Sequence, residues 1–548
     1  MPYGNFYYGK SGFLYKKMGG VGNRRNPSLG AICNQPQYIY NKYISGSGVG
    51  AVTVSNRRAQ KIRASRCRQF CPVKTNVCDL LPSITPYQIC SPHPQFGGLY
   101  NNQQRRTPIV SSQQGNILWE GQSTSSLVTI STSSPIIAND GTIYIGYNVS
   151  EGDDPETPTS QYFTAFNSDG TAKWALQLDS GDINEQASSA IGPDGTNYFV
   201  ASNDTDNFCY LYAITSSGNK KWKLELTSCY YTSASVTIGS NGEIFVCGYN
   251  LSFQGIIYAV SEYGYVLSGY PLTITNDSYP ESIIVDGPAI SSNGSTLYVC
   301  AYNANGGNDG ILYSINTITK SKNWEFNVNE GVPQSRPALS SDESVVYFTF
   351  NTEFGAQPNS LFAVYTSSGT TKWEYNTSSY NGSYDTFPQD SLAIGSDGTI
   401  YCVINGDSDI VSGNNNNYGK LIAIDPSSGE AKWTYLFGVI SETTGSFVDT
   451  SPVIGGDGTI YVGVEIYDVL SSDPGSPTSI YLTMYAITPE GQLKWKKMTT
   501  SVNTSGGTVD IEYSTSPAIG LDGTLYIGVT HYTDSDTYLG YSKLYAIN

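Results

Sequence analysis

Apolar and polar positions along this chain alternate in short bursts, and one burst returns eight times. A small polar start leads to an apolar pair, a turn on Asp-Gly or a relative, and then a strand of alternating character. It reads SSPIIANDGTIYIG at 133–146, SSAIGPDGTNYFV at 188–200, SVTIGSNGEIFVCG at 235–248 and GPAISSNGSTLYVC at 287–300. It continues as RPALSSDESVVYFTF at 336–350, SLAIGSDGTIYCV at 391–403, SPVIGGDGTIYVG at 451–463 and SPAIGLDGTLYIG at 516–528. Period-two alternation on both sides of a tight turn predicts a β-hairpin at each. The turns are 47 to 65 residues apart, the spacing of propeller blades with variable loops.

A second phrase follows each hairpin, from FTAF at 163–166 to LYAI at 544–547, and after most of them a Gly turn leads to Lys-Trp. The seven tryptophans, Trp119, Trp174, Trp222, Trp324, Trp373, Trp433 and Trp495, all fall at this place, and blade three carries Tyr270 there instead. Six have a glycine four residues earlier. An aromatic at a fixed place in every repeat predicts packing between neighbouring sheets. Each repeat thus supplies four strands, A to D. The eighth reaches only strand C, and NILWE at 116–120 supplies its strand D. The fold expected is all-β: an eight-bladed β-propeller of four-stranded blades over 115–548, closed by an N-terminal strand and preceded by a basic, largely irregular arm over 1–110. Ring closure leaves no open sheet edge.

The repeat core, an alanine, then a glycine, then a tryptophan four residues on, resembles the pyrroloquinoline-quinone-like repeat family, most nearly in LIAIDPSSGEAKW at 421–433. The resemblance spans 115–548 and implies the fold. That family includes quinoprotein dehydrogenases and non-enzymatic scaffolds. The dehydrogenases resemble one another in a vicinal cysteine pair near the cofactor, acidic calcium ligands and a catalytic Asp. This chain has no adjacent cysteines and no haem-attachment C-x-x-C-H.

Strand order puts the A–B and C–D turns on one face and the B–C and D–A connections on the other. The first set is short. The second is long and irregular, as at 147–162, 404–419 and 465–481. Variable loops on a rigid scaffold are where binding resides, so an unknown ligand is expected on the long-loop face. The starts of the A strands should ring the central channel there. They are mostly Ser, Thr, Gly and Pro; the charged exceptions are Asp286, Arg336, Asp390 and Asp449. Those four read either as an ion-paired channel mouth or as a small-ligand or cation site.

Other chemistry is sparse. His93 and His531 are the only histidines and sit in no catalytic motif; no Walker loop or EF-hand spacing occurs. No catalytic residue, metal ligand or cofactor is therefore expected. No apolar run is long enough to span a bilayer, and the first residues lack an apolar signal-peptide stretch.

Charge divides the chain. Residues 1–108 carry 15 Lys and Arg against the single acid Asp79, while 109–548 carry a net −31. Arg24, Arg25, Arg57, Arg58, Arg63, Arg66 and Arg68 offer the arm to an acidic assembly or a polyanion. The phrases MPYGNFYYGKSGFLYKK, GGVGNRR and YISGSGVGAVTVSNRRA resemble the N-terminal segments of uncharacterised proteins of large DNA viruses of aquatic protists. That resemblance implies a shared anchoring segment. The leading expectation is then a non-enzymatic virion structural protein, its arm held by other virion or capsid proteins and its propeller a spacer or binding head. A quinoprotein-type oxidoreductase and a nucleic-acid-binding packaging protein are the alternatives.

Overall fold

The computed structural model describes residues 86–548 apart from several loop stretches and, before them, only strands Phe6–Tyr8 and Leu14–Lys16, which pair antiparallel. Residues 1–80 and 81–548 are separate units, and the second is the subject here. The seven arm arginines from Arg24 to Arg68, and Asp390, lie outside the described residues.

Eight antiparallel blades form unit two. In blade one, strand A is Ile136–Ile137, B is Ile143–Ser150, C is Ser160–Phe166 and D is Ala172–Gln177. The same order recurs through blade seven, whose strands B, C and D are Ile460–Leu470, Asp473–Ile487 and Leu493–Asn503. Blade eight takes strands B and C from Leu525–Asp534 and Leu539–Ile547, and its strand D is Ile117–Gln122. That strand pairs Ile117 with Ile547 and Trp119 with Ala546. Asn116 and Asn548 exchange backbone hydrogen bonds of 2.6 and 2.7 Å. The ring closes as the sequence reading expects.

The turn residues act locally. The carboxylate of Asp140 accepts from the Thr142 amide at 2.9 Å, and Asp194, Asp397, Asp457 and Asp522 do the same two residues on. In four blades the lysine before the tryptophan reaches back to the same aspartate: Lys173 to Asp140 at 3.2 Å, Lys221 to Asp194 at 3.0 Å, Lys432 to Asp397 at 3.6 Å and Lys494 to Asp457 at 2.8 Å. Partial burial disfavours the Asp457 carboxylate, yet Lys494 and Thr459 outweigh it and hold its pKa below the usual value.

The Gly-x-x-x-Trp spacing proves to serve two blades at once. Each tryptophan lies against the turn glycine of the next blade, not its own. The Trp119 ring covers Gly170, Trp174 covers Gly218, Trp373 covers Gly429 and Trp433 covers Gly491. A Cβ on Gly429 would stand 2.7 Å from the Trp373 ring, and its φ of +78° disfavours a side chain as well. The indole N–H then donates to a carbonyl of that same turn, as from Trp119 to Ser168 at 2.9 Å and from Trp433 to Pro489 at 2.9 Å. Between blades three and four the device is rebuilt: Tyr270 replaces the tryptophan, and Lys320 lies 5.5 Å above its ring.

The chain before the closing strand also belongs to this unit. Residues 86–95 and 106–109 pair with the inner edges of the A strands at the A–B-turn end of the channel. Ile137 N donates to His93 O at 2.7 Å, Ile191 N to Pro94 O at 2.8 Å, and Thr107 N to Ile454 O at 3.0 Å. Tyr87 is fully buried among blades two and three and accepts from the Ile238 amide at 3.2 Å. Cys90 is disulfide-bonded. The five propeller cysteines are free and buried.

One loop expectation fails. The segment 465–481 was expected to be irregular, but strands B and C of blade seven run on through most of it, pairing Glu465 with Leu482 and Tyr467 with Ile480. The alternation of Val464 and Ile466 continues that of the core strand. The Asp, Pro and Gly that suggest a loop belong to the tip of the long hairpin.

Candidate functional site

At the B–C and D–A face, the starts of three A strands meet their neighbours through a serine. Ser188 N donates to Ser235 Oγ at 2.7 Å, Ser451 N to Ser516 Oγ at 3.0 Å, and Ser516 N to Ser134 Oγ at 3.0 Å. Small polar residues recur there because each hydroxyl satisfies the orphan amide of the adjacent blade.

Arg336 occupies this position in blade five and does something different. Its side chain, 3% exposed, lies over Gly287 of blade four and reaches Ser235 of blade three, with Nη2 2.8 Å from Oγ. Its Nε stands 2.5 Å from Asp286 Oδ1. A Cβ on Gly287 would meet the Ser235 carbonyl at 2.6 Å and Arg336 Nη1 at 3.3 Å, so the glycine makes room for the crossing. Asp286 and Arg336 are ion-paired, and Arg336 binds three blades together. The structure does not bring Asp449 to them.

Asp449 instead heads blade seven beside acids that sequence reasoning missed. Solvent reaches its side chain, but the surrounding walls desolvate the carboxylate and raise its pKa. Glu465, on strand B of blade seven, is raised well above the usual value, first by burial and then by Asp449, Glu512 and Asp510. The last two lie on Asp510–Tyr513, the strand that leads into blade eight. Burial also raises Asp510. The Tyr513 amide donates to Glu465 Oε1 at 3.2 Å, and the Tyr532 hydroxyl bonds Glu512. A signal for Glu465 exists in the sequence: it stands where blade one has Asn148 and blade eight has Thr530, two residues after the strand-B glycine.

Glu465 carries a direct prediction. Its folded pKa is raised, so its contribution to stability is full below its unfolded pKa and is lost as pH rises through the folded value. Glu465→Gln keeps an acceptor for Tyr513 and removes the charge. At pH 7–8 it should stabilise the protein by about 1–3 kcal/mol, and the gain should vanish on acidification toward pH 4. Thermal melts of both proteins across that range check it; equal melting at pH 7.5 would refute the placement.

The arrangement sets Asp449, Glu465, Asp510 and Glu512 beside one another on blades seven and eight, while Gln88, His93, Pro94, Thr107 and Ile109 bond blades at the A–B-turn end. Among the described residues no group of three His, Cys, Asp or Glu side chains is placed to hold a metal ion. The acids face one another across blades seven and eight without converging. With the vicinal cysteines absent from the sequence, the described residues do not fit the calcium half of a quinoprotein centre.

No family model matches the chain, and no curated protein matches it. Solved structures do. The quinohemoprotein alcohol dehydrogenase ADHIIG of Pseudomonas putida HK5 is 13% identical with a TM-score of 0.55, over 84% of this chain and 80% of that one. The quinohemoprotein alcohol dehydrogenase of Comamonas testosteroni is 12% identical with a TM-score of 0.53, over 84% and 81%. A europium-containing methanol dehydrogenase is 10% identical with a TM-score of 0.53, over 85% and 98%. These proteins are enzymes, which overturns the expectation that the chain is not one; the inference from missing motifs to no catalysis was too strong for this fold. The virion reading gains no support from them. At these identities the likeness shows the fold alone: the chain has the eight-bladed propeller fold of the quinoprotein dehydrogenases.

Proposed function

We propose that the chain handles a small polar molecule at the long-loop mouth of its channel, as an oxidoreductase of the quinoprotein type. The observation that carries this reading is the cluster of Asp449, Glu465, Asp510 and Glu512 on blades seven and eight, at the face of the B–C and D–A connections. Carboxyls held above their usual pKa take up a proton nearer neutral pH, the property required of a base that accepts a hydroxyl proton during an oxidation. Asp449 is the most exposed member, and it is the residue assigned that role. The likeness of the fold to alcohol and methanol dehydrogenases supports the reaction class. Because the metal half of such a centre does not fit, no step is routed through a quinone or a metal.

The test is dye-linked oxidation of short alcohols and aldehydes by the full chain. It is run alone, with pyrroloquinoline quinone, and with that quinone plus Ca²⁺ or a lanthanide. The expected result is turnover in at least one condition, falling by about 100-fold or more in Asp449→Asn, as for loss of a general base. No dye reduction and no binding of quinone in any condition would remove the reading.

A further inference from the structure

We infer that the groove between blades seven and eight holds a second site, one that binds a neutral sugar ring. A cavity of about 350 Å³ opens there, within the size range of small-molecule sites. Strand D of blade seven gives Thr500 and Ser501 to its wall, strands B and C of blade eight give His531, Tyr541 and Lys543, and the closing strand gives Glu120.

Charge decides the ligand class. Lys543 Nζ lies 3.3 Å from Glu120 Oε1, so the cavity's cation and anion already neutralise each other. Burial, followed by the charge of Lys543, pushes the His531 pKa down to about 4, so the imidazole is neutral under ordinary conditions. An anionic or cationic ligand would have to break the ion pair to be neutralised.

The remaining chemistry is aromatic and hydrogen-bonding. His531 stacks on Tyr541 with ring centroids 4.8 Å apart and planes 9° from parallel. The Nε2 of His531 is buried and has no hydrogen-bond partner among the described residues, so His531 contributes its stacked ring rather than a polar contact. Glu120 keeps half its side-chain surface in solvent, and its carboxylate accepts while Lys543 donates. A sugar ring matches this set: its C–H face packs on aromatic rings, and its hydroxyls both donate to carboxylates and accept from ammonium groups. The site lies in the outer groove and does not rest on the channel reading.

Calorimetric titration of the full chain with glucose, galactose, N-acetylglucosamine and cellobiose tests this, with glucuronate and choline as charged controls. At least one neutral sugar should bind. Lys543→Met, checked by its melting curve, should weaken that binding at least tenfold, and Tyr541→Ala should abolish it. Glu120→Gln leaves Lys543 unpaired and should shift preference toward glucuronate at least tenfold. Asp449→Asn should leave sugar binding unchanged. The proposal is overturned if no neutral sugar binds, if binding survives both Lys543→Met and Tyr541→Ala, or if a charged control binds the unaltered protein more tightly than every neutral sugar.

Discussion

Replacing Ile117–Gln122 by a Gly/Ser stretch of equal length should leave no cooperatively folded ring at 25 °C. The substitution removes strand D of blade eight and uncovers the outer edge of Leu539–Ile547. It also removes Trp119, whose ring covers Gly170 of blade one and whose N–H bonds Ser168. Loss of a packed tryptophan costs about 3–5 kcal/mol, and the lost ladder adds about 1 kcal/mol for each hydrogen bond. Together these approach the roughly 5–15 kcal/mol by which a whole domain is stable. An exposed strand edge also recruits other chains. Size-exclusion chromatography should show oligomers or aggregate, and the thermal transition should broaden or disappear. A monomer that melts cooperatively within a few degrees of the unaltered protein would show that the ring does not depend on this strand.

Arg336→Met should be the most damaging single substitution at the channel mouth. It strands the Asp286 carboxylate, 13% exposed, in a wall that no longer supplies a cation. It also removes the bond from Arg336 to Ser235 and opens space over Gly287. Removing one partner of a buried ion pair costs about 3–5 kcal/mol. Adding Asp286→Asn to the same chain removes the stranded charge and should restore a large part of that loss. Chemical denaturation of the two single variants and the double variant forms a cycle with a large coupling term. If Arg336→Met alone costs under about 1 kcal/mol, on the scale of an exposed pair, the pair is not the staple the geometry describes. The cycle also separates structure from ligand binding, since a staple changes stability whether or not any small molecule is present.

What was legible in the sequence was whatever the chain specifies within one repeat. Alternation along strand B, the aspartate two residues before a turn amide, and glycine at a left-handed turn position are local conditions, and eight copies made them unmistakable. The closing strand was legible for the same reason, because Trp119 sits in the tryptophan place of a repeat that lacks its other strands. The long hairpin of blade seven was missed because turn-forming residues at its tip masked an alternation that continues beyond the core.

Contacts between repeats were decided only by the tertiary structure. The sequence predicted that the tryptophans pack between neighbouring sheets, but not that the glycine four residues before six of them would lie under the tryptophan of the blade before. Arg336 could be placed on the ring from sequence, but not its reach across Gly287 to Ser235, which depends on where two other blades put a missing side chain and a hydroxyl. The acids of the candidate site, Asp449, Glu465, Asp510 and Glu512, are up to 63 positions apart in the chain, and none has a motif. Only ring closure and blade stacking make them neighbours; burial raises the pKa values of Asp449 and Asp510, and burial followed by the other three acids raises that of Glu465. The sequence by itself determined the blade and its number, because hydrogen bonding and burial within a repeat are local. The bonds at the A–B-turn end, the cluster of acids and the staple between blades were left to the tertiary structure, because each is made from residues that meet only when the ring is closed.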